Sequence, residues 1–324
     1  MNAADVKKLA LECGADLVGI ASMDRFEGAP KQMDPRYIFP DAKAMIVMGF
    51  RILRGALRGV EEGTFFATYS SMGYAAINKV LQPMVLWSFC RELEDDGYEA
   101  VPLPNAFPWS NTVTTVPKDK AAIGRPRPEW SRPVSPEKPA PDVFFSLRIA
   151  AFCAGLGEIG WSKMFLSPQF GPRQRLAAVL TDAPLEAAPL YAGPPLCDRC
   201  MLCARDCTVG AIHATKSVKT TIAGRELEWS DIDFQKCSMG FCGGSRHFNP
   251  FMLTDEEEKG FNADFTGTYG QAQTYKVKPE YDYGRALEGA RGCIRACMVH
   301  LTEQDKLQNR FKTHFRKRAP WKLP

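Results

Sequence analysis

The sequence predicts a mixed α/β chain (α+β in composition) followed by a cysteine-rich, metal-holding module. Three observations carry this expectation. Helical and short apolar strand patterns alternate up to about residue 190. The run PPLCDRCMLCARDCTVGAI then places Cys197, Cys200, Cys203 and Cys207 in the order C-x2-C-x2-C-x3-C. A looser second set, Cys237, Cys242, Cys293 and Cys297, brings the total to eight candidate ligands.

Within the first part, the apolar spacing of Val6, Leu9, Ala10 and Cys13 predicts a helix over 5–13, stopped at Gly14. LVGIA (17–21) and AMIVMGF (44–50) are of strand length and wholly apolar. Residues 68–96 read as a long helix, with Pro83 kinking or dividing it and Gly97 closing it. YEAVPL (98–103) returns to strand. Between 104 and 141 proline is frequent, which fits either a lid or an extended surface arm. Residues 143–153 are apolar and helical in pattern, and RLAAVLTD (175–182) reads as a strand. Further on, SVKTTIAGRELEW predicts a hairpin turning at Ala223–Gly224. Residues 254–283 are polar, tyrosine-rich and carry no clear pattern. The end, FKTHFRKRAPWKLP, reads as a solvated basic tail, a docking surface for an acidic donor or an RNA backbone being the other reading.

The cysteine spacing has a chemical reason. Three thiolates must converge on the corners of one cubane, so a short loop wraps it with every third residue pointing inward. The fourth cysteine of such a run points away and, by the pattern of bacterial ferredoxins, ligates the other of two clusters. Structural zinc sites use paired C-x2-C motifs set a dozen or more residues apart, which is not the layout here. The second set is less regular: Cys237 and Cys242 are five apart, and about 50 residues lie between Cys242 and Cys293. Two [4Fe–4S] clusters need all eight thiols; with one of the second four merely buried, the count falls short. Cys13, Cys90 and Cys153 are left over, each in an apolar helical context, and read as core.

The chain has 324 residues, 45% hydrophobic and 24% charged, with a net charge of +4, too small to argue for nucleic acid. No run of eighteen apolar residues predicts a membrane span. The opening MNAADVKKLALECGAD has neither a secretory layout nor a twin arginine. Together with eleven cysteines, it predicts a cytoplasmic, reducing setting.

GxGxxG occurs at 155–160, but it follows a helix and opens no βαβ unit, so it is no dinucleotide fingerprint. Its glycines instead allow a backbone to approach a flat ligand closely. Four stretches then resemble the superfamily of epoxyqueuosine reductases and reductive dehalogenases, the dehalogenase side most. They are GADLVGIA, SMGYAAINKVLQPMVLWSFCRELEDDGYEAVPLP, AGLGEIGWSKMFLSPQFGPRQRLAAVLTDAPL and PPLCDRCMLCARDC with its following GAI, in the family's order.

The resemblance implies a nitroreductase-like domain over 1–190 that binds a base-off corrinoid (cobalamin). It also implies a two-cluster ferredoxin-like domain with an insertion over 191–310, then the basic tail 311–324. Electrons from a ferredoxin- or flavodoxin-type donor would pass through the clusters to cobalt, which reduces a small organic or nucleoside substrate. On this resemblance Gly155, Leu156, Gly157, Gly160, Trp161, Lys163, Pro168, Phe170 and Gly171 border the corrinoid. Trp161 reads equally as a core residue, and for Lys163 a surface lysine is the favoured reading. Tyr69, Tyr74 and Asp142 are the candidate proton donors. The competing classes are an iron–sulfur electron carrier with no substrate of its own, and a tRNA-modifying enzyme, less favoured. None of the four histidines shows ligand spacing.

Overall fold

The computed structural model describes residues 1–105, 133–141, 143–241, 247–250, 290–315 and 321–323. Its centre is a four-stranded sheet of β1 (Leu17–Ser22), β2 (Ala44–Arg51), β3 (Ala100–Leu103) and β6 (Gln174–Thr181), in the order β1-β2-β6-β3. Every pairing is antiparallel, with Ala44 and Ala100 both set opposite Thr181 on its two sides. The α+β form of the expectation therefore holds, and a parallel βαβ arrangement does not.

The unbroken apolar run of β2 is explained by cover on both faces. Ala44, Ile46, Met48 and Phe50 face a core with Val6 and Ala10 of α1 (Ala3–Glu12) and Val85, Phe89 and Leu93 of α3 (Gln82–Asp95). Met45 and Val47 point the other way, onto Ala150–Ala154 at α4 (Leu147–Cys153). The same period of two divides β6, where Ala177 and Val179 join the first core and Leu176, Ala178 and Leu180 the second.

Local signals place the helix ends. Asn2 caps α1 and Asp5 returns the bond to the Asn2 backbone, while Gly14 takes φ 115° beyond the helix. The long helix expected over 68–96 is divided. Tyr69–Ala75 and Ile77–Leu81 are π-helical, and α3 begins at Gln82, so Pro83 sits in a first turn where its missing N–H costs nothing. The helix expected from 143 starts only at Leu147, because the Phe144 N–H donates to the Gln32 carbonyl and leaves helical geometry until Ser146 caps the turn. Cys90 and Cys153 are buried and their thiols are pushed up to about 12, by burial first. Cys13 lies at the end of α1, half-buried.

A second sheet pairs β7 (Ile212–Ile222) with β8 (Arg225–Ile232). Its turn is at Ala223 (φ 49°) and Gly224 (φ 73°), two left-handed residues as a tight hairpin of this type needs. Around it, α5 (Leu202–Arg205), α6 (Phe234–Phe241), the π-helical turn Ala290–Ala296 and the helix Cys297–Glu303 carry the cysteines. The expectations for 106–132 and 254–283 fall outside the described residues. Among those described, no helix is long and apolar enough to cross a membrane.

Part of the described tail is packed and part is solvated: Phe311, Lys312 and Lys322 are exposed, while Phe315 and Trp321 meet the body. Phe315 is 2% exposed, and Arg54 donates to the carbonyls of Thr313 and His314 at 2.7 Å. Trp321 packs edge-on against Phe66 and donates to the Val60 carbonyl at 3.1 Å from α2 (Arg58–Glu62). Phe315→Ala is expected to cost about 3–5 kcal/mol through the cavity it leaves. A urea-unfolding midpoint unchanged from the native chain would show the tail to be dispensable.

Candidate functional site

By their electrostatic influence on one another the thiols sort into two overlapping groups that cut across their order in sequence, with Cys293 acting on members of both. In the first, the short loop from Cys197 to Cys203 is bent by Arg199 and Met201, both left-handed at φ 58°. Alternation of this kind turns successive N–H groups inward and forms the nests that hold anionic clusters. Trp161 N–H donates to Cys197 Sγ at 3.3 Å. Cys297 joins this loop from the far end of the chain. Burial raises its thiol well above the ordinary value, reinforced by Cys197, Cys203, Cys200 and Cys293. Burial, then Cys197, Cys293 and Cys200, likewise push Cys203 up to about 12.

The second group gathers Cys207, Cys237 and Cys293. Burial, then Cys237, push Cys293 up to about 12; Cys207 adds to this and Arg148 opposes it. Cys237 is raised by burial, opposed by Arg148 and reinforced by Cys207. Ala211 N–H donates to Cys207 Sγ at 3.2 Å. Cys242 lies outside the described residues. Among the described residues no two thiols form a disulfide. His300 Nε2 and Asp198 Oδ2, 2.7 Å apart, stand beside the exposed Cys200, a contact that histidine spacing in the sequence does not reveal.

Beside the second group opens a cleft of about 1190 Å³. Its walls include Tyr37, Leu103, the stretch from Pro139 to Pro141, Val143 to Arg148, Met164 and Gln174 to Leu176. Lys138, Arg148 and Arg175 are the charged residues among its described lining, and all are cationic. Gln32 holds one wall in place by bonding both the N–H and the carbonyl of Ala140 at 3.0 Å. Arg148 belongs to the cleft and to the second thiol group at once. It acts on Cys237 and Cys293 and donates to the Lys163 carbonyl at 2.9 Å.

Arg175 brings the two candidate tyrosines together. Its Nη2 donates to the Tyr69 hydroxyl at 3.0 Å, and its guanidinium lies 4.5 Å from the centre of the Tyr74 ring. Burial raises the Tyr69 phenol; Arg175 opposes this and Cys293 adds to it. Both tyrosines stand behind Arg175 and are not themselves among the cleft lining. Asp142 is outside the described residues, although Pro141 and Val143 on either side line the cleft.

The glycine stretch is placed differently from these. A Cβ at Gly155 would lie 2.1 Å from the Pro189 carbonyl oxygen, and one at Gly157 would lie 2.0 Å from that of Leu166. The close approaches are to protein backbone: Gly157 admits the small hairpin of β4 (Glu158–Ile159) and β5 (Phe165–Leu166). Gly160 abuts Leu166 and Cys197, Gly171 abuts Leu301 and Met298, and Leu156 packs into the second core. Trp161 is buried over the first thiol group, and its Nε1 donates to the His213 carbonyl at 2.9 Å. Lys163, left-handed at φ 59°, lies over the rings of Trp229 and Phe234. The Pro168 carbonyl accepts from Gln308 N–H, and Phe170 is buried.

None of these nine residues is among the described cleft lining, whereas Met164, Gln174, Arg175 and Leu176, from the same region, are. Arg148 and Arg175 do not stand out in the sequence. The signal each carries there is a lone cation, one in an otherwise apolar helix and one at the mouth of an apolar strand.

No protein-family model matches the chain. The tetrachloroethene reductive dehalogenase of Sulfurospirillum multivorans is 35% identical over 105 residues, 28% of this chain and 20% of that protein. Among solved structures, a catabolic reductive dehalogenase superposes over 94% of this chain and 37% of its own, with a TM-score of 0.50 and 17% identity. An epoxyqueuosine reductase from Streptococcus thermophilus covers 93% and 81% at a TM-score of 0.46 and 14% identity. The chain thus spans about a fifth of the curated relative it matches and little over a third of the dehalogenase structure. Over that stretch in sequence the chain is similar to a reductive dehalogenase, and in fold to a solved catabolic reductive dehalogenase.

Proposed function

We propose that the chain is a corrinoid-dependent iron–sulfur reductase, with two [4Fe–4S] clusters in its thiol groups and a corrinoid in the cleft. The observation that carries this reading is Arg148, one side chain shared by the cleft wall and the second thiol group. In this reading residues 1–190 bind the corrinoid, 191–310 hold the clusters, and 311–324 form a basic tail.

The residues present suit both groups. The first thiol group offers four sulfurs, the second three with Cys242 to complete it; each receives a backbone N–H on sulfur, as iron–sulfur ligands do. The cleft is larger than the ~300–1,000 Å³ of pockets for drug-sized ligands, and its cations suit a phosphate-bearing macrocycle. When bound, a corrinoid supplies a low-valent metal centre able to deliver two electrons to an organic substrate.

The chain's own residues supply the rest. Cys200 of the first group and Cys237 of the second are both exposed, so each group has an edge that a low-potential donor can approach. Arg148 favours negative charge on the second group. Arg175 and Lys138 hold an anionic part of the substrate or cofactor. Burial keeps the Tyr69 phenol protonated, and its hydroxyl accepts from Arg175 and so positions that cation at the cleft. The apolar wall of Val143 to Leu147 limits competing water. One solved dehalogenase is in complex with 3-bromo-4-hydroxybenzoic acid, an anionic aromatic compound that serves here as a first probe.

The test is cofactor content after anaerobic purification with hydroxocobalamin supplied. About eight irons and one cobalt per chain, the count of two cubanes and one corrinoid, is expected. Eight irons without cobalt would leave an electron carrier and end the corrinoid reading.

A further inference from the structure

The glycine stretch that opens no dinucleotide site converges on one thiol. A Cβ at Gly160 would lie 3.5 Å from Cys197 Sγ, so the backbone leaving β4 runs against that sulfur. The next residue, Trp161, donates its N–H to the same sulfur at 3.3 Å. Glu158, at the start of β4, takes the Cys197 N–H on its Oε1 at 2.6 Å. Residues 158–161 thus touch Cys197 at its backbone and at its sulfur.

Three bonds separate the Cys197 nitrogen from its sulfur, so the Glu158 carboxylate is no more than roughly 7 Å from Sγ. Burial raises the Glu158 carboxyl, while the N–H groups of Cys197 and Leu196 and the Lys306 ammonium oppose this. Each of those three favours the charged form. Lys306 is anchored at the same place, donating to the Leu196 carbonyl at 3.4 Å and to Asp198 Oδ2 at 3.3 Å. A carboxylate and an ammonium therefore stand at the entry to the first thiol loop.

We propose that Glu158 holds down the reduction potential of the first cluster by its charge beside Cys197, and that Lys306 tempers the effect. This rests on the reading of the first thiol group as a cluster site. A reduced cluster carries one more negative charge than an oxidised one. A carboxylate within a few ångströms of a ligand sulfur, in a partly buried setting, opposes that charge, and a cation favours it. The segment that resembles a ligand cradle is then a positioning element for the cluster, with Glu158 as its charged member.

The experiment is a redox titration of the full chain, purified anaerobically with its clusters and followed by electron paramagnetic resonance, with iron per chain measured alongside. Cys207→Ala, which keeps the first cluster alone, identifies that cluster's signal. Glu158→Gln retains an acceptor for the Cys197 N–H but not the charge. It is expected to raise the first midpoint by roughly a tenfold change in the reduction equilibrium, about 59 mV for one electron. The second midpoint should stay in place. Lys306→Gln is expected to lower the first midpoint, and it decides the matter if Glu158→Gln does not retain the first cluster. A packing role would not give these two variants opposite signs. A first midpoint that Glu158→Gln leaves unmoved or lowers, or that Lys306→Gln leaves unmoved or raises, would overturn the proposal. So would an equal shift of both clusters. A native chain without iron would instead overturn the cluster reading itself, and the proposal with it.

Discussion

Cys297→Ala is expected to remove the cluster of Cys197, Cys200 and Cys203, although it lies at the other end of the module. Cys207→Ala, inside the first run, is expected to spare that cluster and remove the one formed with Cys237 and Cys293. Each variant should fall from about eight irons per chain to about four. Their remaining signals should be complementary, because each variant keeps the cluster that the other loses. The physical basis is the grouping itself: Cys297 is most affected, after burial, by Cys197, Cys203 and Cys200, while Cys293 answers to Cys237 and Cys207. Identical residual spectra from the two variants would mean that the groups do not cross.

Tyr69→Phe should lower turnover of the substrate found in screening by about 10²-fold, because Arg175 loses the hydroxyl that positions it at the cleft. Iron and cobalt content should stay at native levels, since the ring and its packing remain. Arg175→Met should give a similar loss for a different reason. It removes the bond to the Tyr69 hydroxyl and the cation over the Tyr74 ring, leaving a buried phenol without that partner at a cost of about 1–3 kcal/mol. Tyr69→Phe with native turnover, alongside an inactive Tyr74→Phe, would assign the positioning of Arg175 to Tyr74. Native turnover in both would exclude the tyrosines.

Several features are legible in the amino-acid sequence. The apolar runs AMIVMGF and RLAAVLTD mark strands covered on both faces, and Ala223–Gly224 marks the hairpin turn. The C-x2-C-x2-C spacing announces a metal-binding loop, since contact within a few residues is settled by local backbone geometry. Local signals also stop the helices at Gly14 and Gly97, both at positive φ.

Other features depend on the approach of residues far apart in sequence, which no local pattern encodes. Trp161 has the composition of a stacking residue, yet its Nε1 is occupied by the His213 carbonyl. The glycines from 155 to 160 look like a ligand cradle, but their open faces are filled by Pro189, Leu166 and Cys197. Arg148 and Arg175 read as ordinary cations on apolar elements until the sheet and α4 bring them to one cleft. The sequence by itself determined the strands, the hairpin and the thiol inventory, because periodicity and short spacing are local properties. Only the tertiary structure decided which thiols share a group and which side chains face the cleft, because burial and electrostatic neighbourhood arise when distant segments pack together.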